Sequence, residues 1–257
     1  MTQRVRLERD DEGVALLELT SPPLNAFDTE MRRELAAAAV ELADDERVRA
    51  VVITGGERNF AAGADIRALA AMDYEAVVGW NQALQRTFTR FAELTVPVIA
   101  AVNGYALGGG MELALTADYR IASSSASFGQ PEVLLGIIPG SGGTQRLRRL
   151  VGPSRTKELL MTGRRLDGQE ALGLGLVDEL ADGDARPAAL DHAHRLARGP
   201  RFAIQAIKQA VDHGGEVSIG AGLALERSLM AGLFATRDRE IGMSSFQANG
   251  PGKARFT

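Results

Sequence analysis

The sequence contains no cysteine, and only three of its 257 residues are histidines. The lack of cysteine excludes disulfide bonds, thiol catalysis and cysteine-ligated zinc. The histidines, His192, His194 and His213, do not form the HExxH pattern of a zinc protease, and we expect all three on the surfaces of helices. We therefore predict that the protein holds no metal.

Excess basic charge and long apolar runs are also lacking. The net charge is −4 at pH 7, whereas nucleic-acid binding usually requires a basic patch, so we expect no nucleic-acid partner. Mean hydropathy is −0.06, and no apolar run approaches the roughly 18 residues of a membrane span. The N-terminal sequence MTQRVRLERDDEGV has no apolar signal core. We therefore predict a cytoplasmic protein with no membrane partner.

Three common motifs of nucleotide enzymes and hydrolases are missing. Gly173 and Gly175 match the first two glycines of a dinucleotide-binding loop, but the third glycine is absent. The chain has no GxxxxGK[ST] phosphate loop. Ser141 lies in PGSGG, where Pro139 takes the place of the first glycine of GxSxG. These differences argue against a nicotinamide enzyme, a kinase and a serine hydrolase.

Strand-like and helix-like segments alternate through the first half of the chain. The sequence predicts short buried strands at 14–19, 51–54, 99–102 and 119–122. Between the first two strands, apolar residues recur at helical spacing at Met31, Leu35, Ala38 and Leu42. This alternation is typical of an α/β architecture.

The second half, from about residue 142, reads mostly as helix. Ile204 and Ile207 share a helix face with Val211, and Leu225 shares another with Leu229 and Leu233. The glycine-rich run at 214–222 predicts a break between these two helices.

Two carboxylates stand alone in long uncharged stretches. Glu112 is the only charged residue between Val98 and Ala117, and Glu132 is the only one from Ile121 through Gln145. Each could occupy the first turn of a helix, where the helix dipole favours a carboxylate. A buried carboxylate is costly, however, and is kept where the chemistry uses it. Two acids in one dry pocket can take different protonation states and serve as base and acid.

Two glycine-containing loops could expose backbone donors. Gly108, Gly109 and Gly110 precede the helix-like stretch 111–117, and residues 60–65 form a loop of small residues after the strand at 51–54. The first N–H groups of a helix lack internal acceptors and stabilise an oxyanion. The alternative for each loop is a tight turn.

Several segments resemble the crotonase (enoyl-CoA hydratase/isomerase) superfamily, most closely the enoyl-CoA hydratases. They are SPPLNAF (21–27), AAGADI (61–66), AAVNGYALGGGMEL (100–113), FGQPEVLLGIIPGSGGTQRL (128–147), MTGRRLDGQEALGLGLVDEL (161–180) and EIGMSSF (240–246). The resemblance implies an α/β fold built as a spiral of ββα units with a helical C-terminal part. It implies a crotonase core over residues 1–195 and a helical oligomerisation region over 196–257, in a homotrimer or a dimer of trimers.

The resemblance also implies roles for individual residues. The N–H groups of Ala64 and Gly109 would form an oxyanion hole for a thioester carbonyl, and Glu112 and Glu132 match the two catalytic glutamates of hydratases. Further contacts to the acyl-coenzyme A substrate would come from Ala62, Gly63, Ala64, Asp65, Ile66, Gly108, Gly109, Lys253 and Phe256. The triplet at 163–165, GRR, departs from the family's usual acidic triplet.

The implied activity is the addition of water to a 2-enoyl-CoA, giving a 3-hydroxyacyl-CoA, with fatty-acid β-oxidation as the default pathway. No cofactor is expected, because coenzyme A is part of the substrate. One alternative is an enoyl-CoA isomerase that uses Glu132 alone. Another is a non-catalytic relative that binds acyl-CoA or RNA. Chain length and the division of acid and base roles between Glu112 and Glu132 stay open.

Overall fold

The strands predicted at 14–19, 51–54, 99–102 and 119–122 and the helix between the first two are present in the structure. The structure is a computed structural model and describes residues 3–256. Its strands are β1 (Val5–Arg9), β2 (Val14–Leu19), β3 (Ala50–Thr54), β4 (Val98–Val102), β5 (Tyr105–Leu107), β6 (Tyr119–Ser123), β7 (Ser127–Gly129), β8 (Arg165–Asp167) and β9 (Glu179–Ala181). Its α-helices are α1 (Thr29–Asp44), α2 (Ile66–Ala70), α3 (Tyr74–Ala92), α4 (Gly109–Ala114), α5 (Gly143–Thr162), α6 (Gly168–Gly173), α7 (Ala185–Ala197), α8 (Arg201–Gly214), α9 (Ile219–Leu233) and α10 (Arg237–Asn249).

The larger sheet has six strands in the order β1-β2-β3-β4-β6-β9. The β1–β2 pair is antiparallel and the other pairs are parallel. Central strands of such sheets are covered on both faces, so they are apolar throughout. In β3, Val51 and Ile53 join the core cluster that includes α1 and α3, whereas Ala50 and Val52 join the cluster that includes α7.

Helix α1 buries the face that the periodicity predicts, and α7 covers the other face of the sheet. α1 buries Met31, Leu35, Ala38, Ala39 and Leu42, and Asp28 caps its N-terminus by accepting from the Met31 N–H. α7 buries alanines at every fourth position, at 185, 189, 193 and 197. Residues four apart lie on one face of a helix, so these small side chains let α7 lie close to the sheet.

The smaller sheet has three short strands in the order β5-β7-β8. β5 and β7 are parallel, and β8 is antiparallel to β7. Ala61 extends the sheet beyond β5, because its N–H donates to the Tyr105 carbonyl (2.9 Å) and its carbonyl accepts from the Leu107 N–H (2.9 Å). This sheet positions the candidate site.

The C-terminal helices α8, α9 and α10 contain no buried residue. The predicted break lies between α8 and α9, and α5 is kinked where Gly152 leaves the helical φ/ψ region before Pro153. The division of the chain between residues 195 and 196 stays a prediction, and α7 runs across it. Within residues 3–256, no helix is long and apolar enough to cross a membrane.

Candidate active site

Three segments that carry predicted site residues leave the small sheet at one edge. Ala61 forms a parallel bridge with Ala106 of β5, and β5 pairs in parallel with β7. Since parallel strands end at the same edge, the segments that follow them meet there. These segments are 62–64, 108–112 and 130–132, so residues far apart in the sequence become neighbours.

The Ala64 N–H is oriented by a bridge to Phe27. The Phe27 N–H donates to the Gly63 carbonyl (2.8 Å), and the Asp65 N–H donates to the Phe27 carbonyl (3.2 Å). Successive peptide groups of an extended segment point in opposite directions, so the Ala64 N–H points away from Phe27. Within the part of the chain that the structure describes, it has no hydrogen-bond acceptor.

Gly63 and Gly108 allow the two loops to approach each other. Gly63 has φ +93°, and a Cβ on it would lie 3.3 Å from the Gly109 nitrogen. Gly108 has φ +51°, and a Cβ on it would lie 3.0 Å from Oε1 of Glu132. An L side chain rarely adopts these φ values and would crowd its neighbours. The 62–64 loop, the glycine run and the Glu132 carboxyl therefore border on one another.

The glycine run opens α4, whose first N–H groups lie at the positive end of the helix dipole. The helix begins at Gly109 and ends at Ala114, earlier at both ends than the predicted 111–117. Among the described residues, the Gly109 N–H has no hydrogen-bond acceptor. It is therefore available to an oxyanion, as the Ala64 N–H is.

Glu112 lies in the first turn of α4 and is only 2% exposed. Its Oε1 accepts from the N–H groups of Ser141 (2.7 Å) and Gly143 (2.8 Å). Burial raises the pKa of the Glu112 carboxyl, although these N–H groups and the positive charge of Arg146 act to lower it. Glu112 is thus a desolvated carboxyl held in a fixed orientation.

Glu132 lies in a short 3-10 helix, Pro131–Leu135, and is half-buried. Its buried Oε2 has no hydrogen-bond partner among the described residues. Burial raises the pKa of Glu132 to about 7, and the negative charge of Glu112 acts in the same direction. Near neutral pH this carboxyl therefore exists in both protonation states and can donate or accept a proton.

The apolar neighbours of Glu132 are less buried than its uncharged stretch indicates. Leu134 is 72% exposed and Ile138 is 74% exposed. The uncharged stretch around Glu132 therefore forms an exposed apolar surface beside the site, in addition to part of the site itself.

The donors that hold Glu112 have no direct signal in the sequence. Ser141 and Gly143 act through backbone N–H groups, which have no side-chain signature, and only the glycine content of 140–143 marks the loop. Gln130 was also missed: it is 1% exposed, and neither atom of its amide has a hydrogen-bond partner among residues 3–256. A Cβ on Gly143 would lie 2.7 Å from Oε1 of Gln130, so this amide borders the loop that holds Glu112.

The remaining predicted substrate contacts are more scattered. Asp65 caps α2 by accepting from the N–H groups at 67 and 68, and Ile66, the first residue of α2, is 52% exposed. The Ala62 N–H donates to the Leu24 carbonyl (2.9 Å).

Lys253 and Phe256 lie beyond α10. Lys253 is exposed just after the turn that follows this helix. The Phe256 ring lies 3.7 Å from the position that a Cβ on Gly242 of α10 would take. No hydrogen bond or salt bridge within the described residues joins either one to the two glutamates, and their role at the substrate stays a prediction.

All three histidines lie on helices, but only His213 is fully exposed. His192 stacks on Tyr119 with ring centroids 4.3 Å apart. His194 Nε2 lies 2.7 Å from Oδ2 of Asp10. His192 and His194 are half-buried at the helix surface, because each lies against a neighbouring side chain.

Comparison with known proteins agrees with the geometry. A family model described as enoyl-CoA hydratase/isomerase matches residues 9–253. The short-chain-enoyl-CoA hydratase of Clostridium acetobutylicum is 40% identical over 94% of each chain. The 2,3-dehydroadipyl-CoA hydratase of Escherichia coli is 42% identical over 91% of this chain and 92% of its own.

A solved structure confirms the predicted fold class. The enoyl-CoA hydratase of Bacillus anthracis superposes with a TM-score of 0.92 at 36% identity, over 96% of each chain. The mixed α/β fold with its C-terminal helices is thus of the crotonase type. The chain described here belongs to the enoyl-CoA hydratase/isomerase family.

Proposed function

We propose that this protein is an enoyl-CoA hydratase that adds water across the double bond of a 2-enoyl-CoA. The proposal rests on one observation: two carboxyls of raised pKa, Glu112 and Glu132, lie near two N–H groups that have no acceptor among residues 3–256. A thioester needs two such donors for its oxygen, and hydration needs a base and an acid.

The proposed reaction begins with the thioester oxygen between the N–H groups of Ala64 and Gly109. These donors polarise the enoyl system, so the β-carbon becomes electrophilic. Glu112 takes a proton from water as the oxygen of that water bonds to the β-carbon. The electrons of the double bond pass to the thioester oxygen, where the two N–H groups stabilise the enolate. Glu132 then donates its proton to the α-carbon.

To restore the starting charges, Glu112 releases its proton and Glu132 takes one up, through solvent or a shared water. The net change is the addition of one water molecule. The reaction uses no resident metal or redox cofactor, and coenzyme A enters and leaves as part of the substrate.

The test is the loss of absorbance of the conjugated thioester of crotonyl-CoA. We expect fast loss with the parent protein, and a fall of about 10²-fold or more in each of Glu112→Ala and Glu132→Ala, because each removes a proton-transfer group. Glu57→Gln, at an exposed turn, is the matched control and should retain the parent rate. Tight binding of crotonyl-CoA and longer enoyl-CoAs without turnover would instead indicate an acyl-CoA-binding relative.

An enoyl-CoA isomerase is the second candidate, because the half-buried Glu132 alone could move a proton between carbons. Glu112→Ala separates the two functions. An isomerase retains most of its activity towards a 3-enoyl-CoA in this variant, whereas a hydratase loses water addition.

For the physiological setting we propose short-chain substrates of fatty-acid β-oxidation in the cytoplasm. Support for chain length comes from the clostridial relative, which is a short-chain-enoyl-CoA hydratase. The relative named for 2,3-dehydroadipyl-CoA makes that thioester the second substrate to test. A comparison of kcat/KM for enoyl-CoAs of increasing length measures the preference directly.

We also propose a homotrimer or a dimer of trimers, assembled through the C-terminal helices. Support comes from the apolar side chains that these helices expose, which include Phe202, Ile207, Val211, Ile219, Leu223, Met230, Phe234, Met243 and Phe246. Exposed apolar surfaces of this extent commonly mark interfaces between proteins. Light scattering after gel filtration distinguishes a monomer, a trimer and a hexamer.

A further inference from the structure

The loop at residues 141–143 holds the Glu112 carboxylate, and a guanidinium group lies against this loop. Arg146, in the first turn of α5, donates from Nη1 to the Ser141 carbonyl (3.1 Å). A Cβ on Gly142 would lie 2.0 Å from the same Nη1, so the guanidinium fills the space that the glycine leaves. Arg146 therefore contacts the segment whose flanking N–H groups bind Glu112.

Helix α3 fixes this guanidinium from the other side. Arg146 Nη2 donates to the Thr89 hydroxyl (3.2 Å). One turn earlier, Gln85 donates from Nε2 to the Gly140 carbonyl (2.7 Å), and Asn81, another turn back, packs against Gly140. Residues four apart share a helix face, so one polar stripe of α3 holds the loop from Gly140 to Arg146.

Among neighbouring charges, Glu112 acts most strongly on Arg146, and Arg149 and Glu93 act on it less strongly and in opposite directions. Within the described residues, Arg146 forms no salt bridge with a carboxylate. It is half-buried, and its positive charge opposes the effect of burial on the pKa of Glu112. Glu132 has no comparable cation, and the charge of Glu112 raises its pKa further. The surroundings of the two carboxyls are therefore unequal.

We propose that Arg146 is a positioning residue that holds the 141–143 loop and thereby orients the Glu112 carboxylate. This inference rests on the proposed hydratase function and adds to it the residue that holds its base in place. Arg146 does not touch the reacting atoms; it acts through the loop and through its charge.

The test compares pH profiles of kcat/KM for crotonyl-CoA hydration in the parent, Arg146→Gln, Arg146→Lys and Arg155→Gln. An opposite charge nearby lowers the pKa of a carboxyl by about one unit or more. The acidic limb of Arg146→Gln should therefore move to higher pH. We expect kcat to fall at least tenfold with little change in KM, because the loop and not the substrate is affected.

Arg146→Lys restores the charge and should bring the limb back towards the parent, while the rate stays reduced because lysine cannot bridge two acceptors as a guanidinium does. Arg155→Gln, at an exposed position of the same helix, should match the parent. Thr89→Val removes one acceptor of Arg146, so it should shift the acidic limb in the same direction as Arg146→Gln but by a smaller amount. It provides the test if Arg146→Gln does not fold. An unchanged acidic limb in folded Arg146→Gln or Thr89→Val overturns the inference.

A second readout needs no turnover. Infrared difference spectra between each protein and its Glu112→Gln counterpart isolate the titration of the Glu112 carboxyl in the unliganded protein. The Glu112 titration should occur at higher pH in the Arg146→Gln background, because a charge that lowers its pKa is removed. An inactive parent with this shift would reject the hydratase function and keep the link between Arg146 and Glu112. An active parent without the shift would reject that link and keep the function.

Discussion

Replacing Glu132 by glutamine should stabilise the protein, and the gain should increase with pH. The carboxyl has an ordinary pKa of 4.5, and burial raises it to about 7 in the folded protein. The unfolded chain therefore releases this proton at a lower pH than the folded protein does. The free energy of unfolding is therefore highest below pH 4.5, where the carboxyl is neutral in both states. It falls as the pH rises to about 7, because the unfolded chain ionises first.

The size of this effect follows from the shift. Each unit of pKa difference corresponds to about 1.4 kcal/mol, so the free energy of unfolding should fall by about 3 kcal/mol over this range. Contact of the half-buried carboxyl with solvent reduces the effect to about 2 kcal/mol. Glu132→Gln removes the ionisation, so the difference in unfolding free energy between variant and parent should grow by about 1.5–2 kcal/mol from pH 5 to pH 8.

Urea unfolding followed by far-UV circular dichroism measures this difference at pH 5, 6, 7 and 8. Protein concentration must be fixed, since any assembly is linked to stability. Glu57→Gln, at an exposed carboxyl, is the control and should differ from the parent by a constant amount. If the pH profiles of Glu132→Gln and the parent are parallel, Glu132 is not desolvated and the reasoning about its pKa is wrong.

Three further substitutions test the packing that positions the site. Gly110→Ala should lower stability by about 2 kcal/mol and abolish hydration, because its Cβ would lie 2.0 Å from the Ala61 carbonyl; an unchanged melting temperature would contradict this. Phe88→Ala, at a fully buried ring, should cost about 3–5 kcal/mol in urea unfolding, and a loss below about 1 kcal/mol would show that the core collapses around the gap. Asp178→Ala should cost about 3 kcal/mol by leaving the buried Arg120 guanidinium without its carboxylate; a neutral result in thermal melts would show that the backbone carbonyls around Arg120 suffice.

The sequence predicted best the strands whose signal is local. Residues 14–19 form β2 as predicted, and β3 and β4 each begin one residue before the predicted segment. Runs of apolar residues mark strands that are covered on both faces. The strands of the small sheet were not predicted, because each has three residues and is specified by partners elsewhere in the chain. β1, with its alternating sequence VRLER, was overlooked among the charges of the N-terminal segment.

The site was predictable as far as its side chains carry chemistry. Lone carboxylates in uncharged stretches indicated Glu112 and Glu132, and the glycine run indicated the Gly109 N–H. The contact between Gly108 and Glu132 was not predictable, because it depends on the parallel pairing of β5 with β7. The same holds for the loop N–H groups on Glu112, since any residue supplies an N–H.

The small sheet also has a consequence for the order in which the molecule assembles. β7, which leads into the Glu132 segment, has β5 on one side and β8 on the other, and β8 lies well downstream in the chain. Closing long loops is entropically costly and slows folding. We expect the β1–β2 hairpin and its neighbours to form first on refolding, and the site to be completed late. Recovery of activity after dilution from urea should therefore lag behind recovery of the far-UV signal, which makes turnover a reporter of the last folding step.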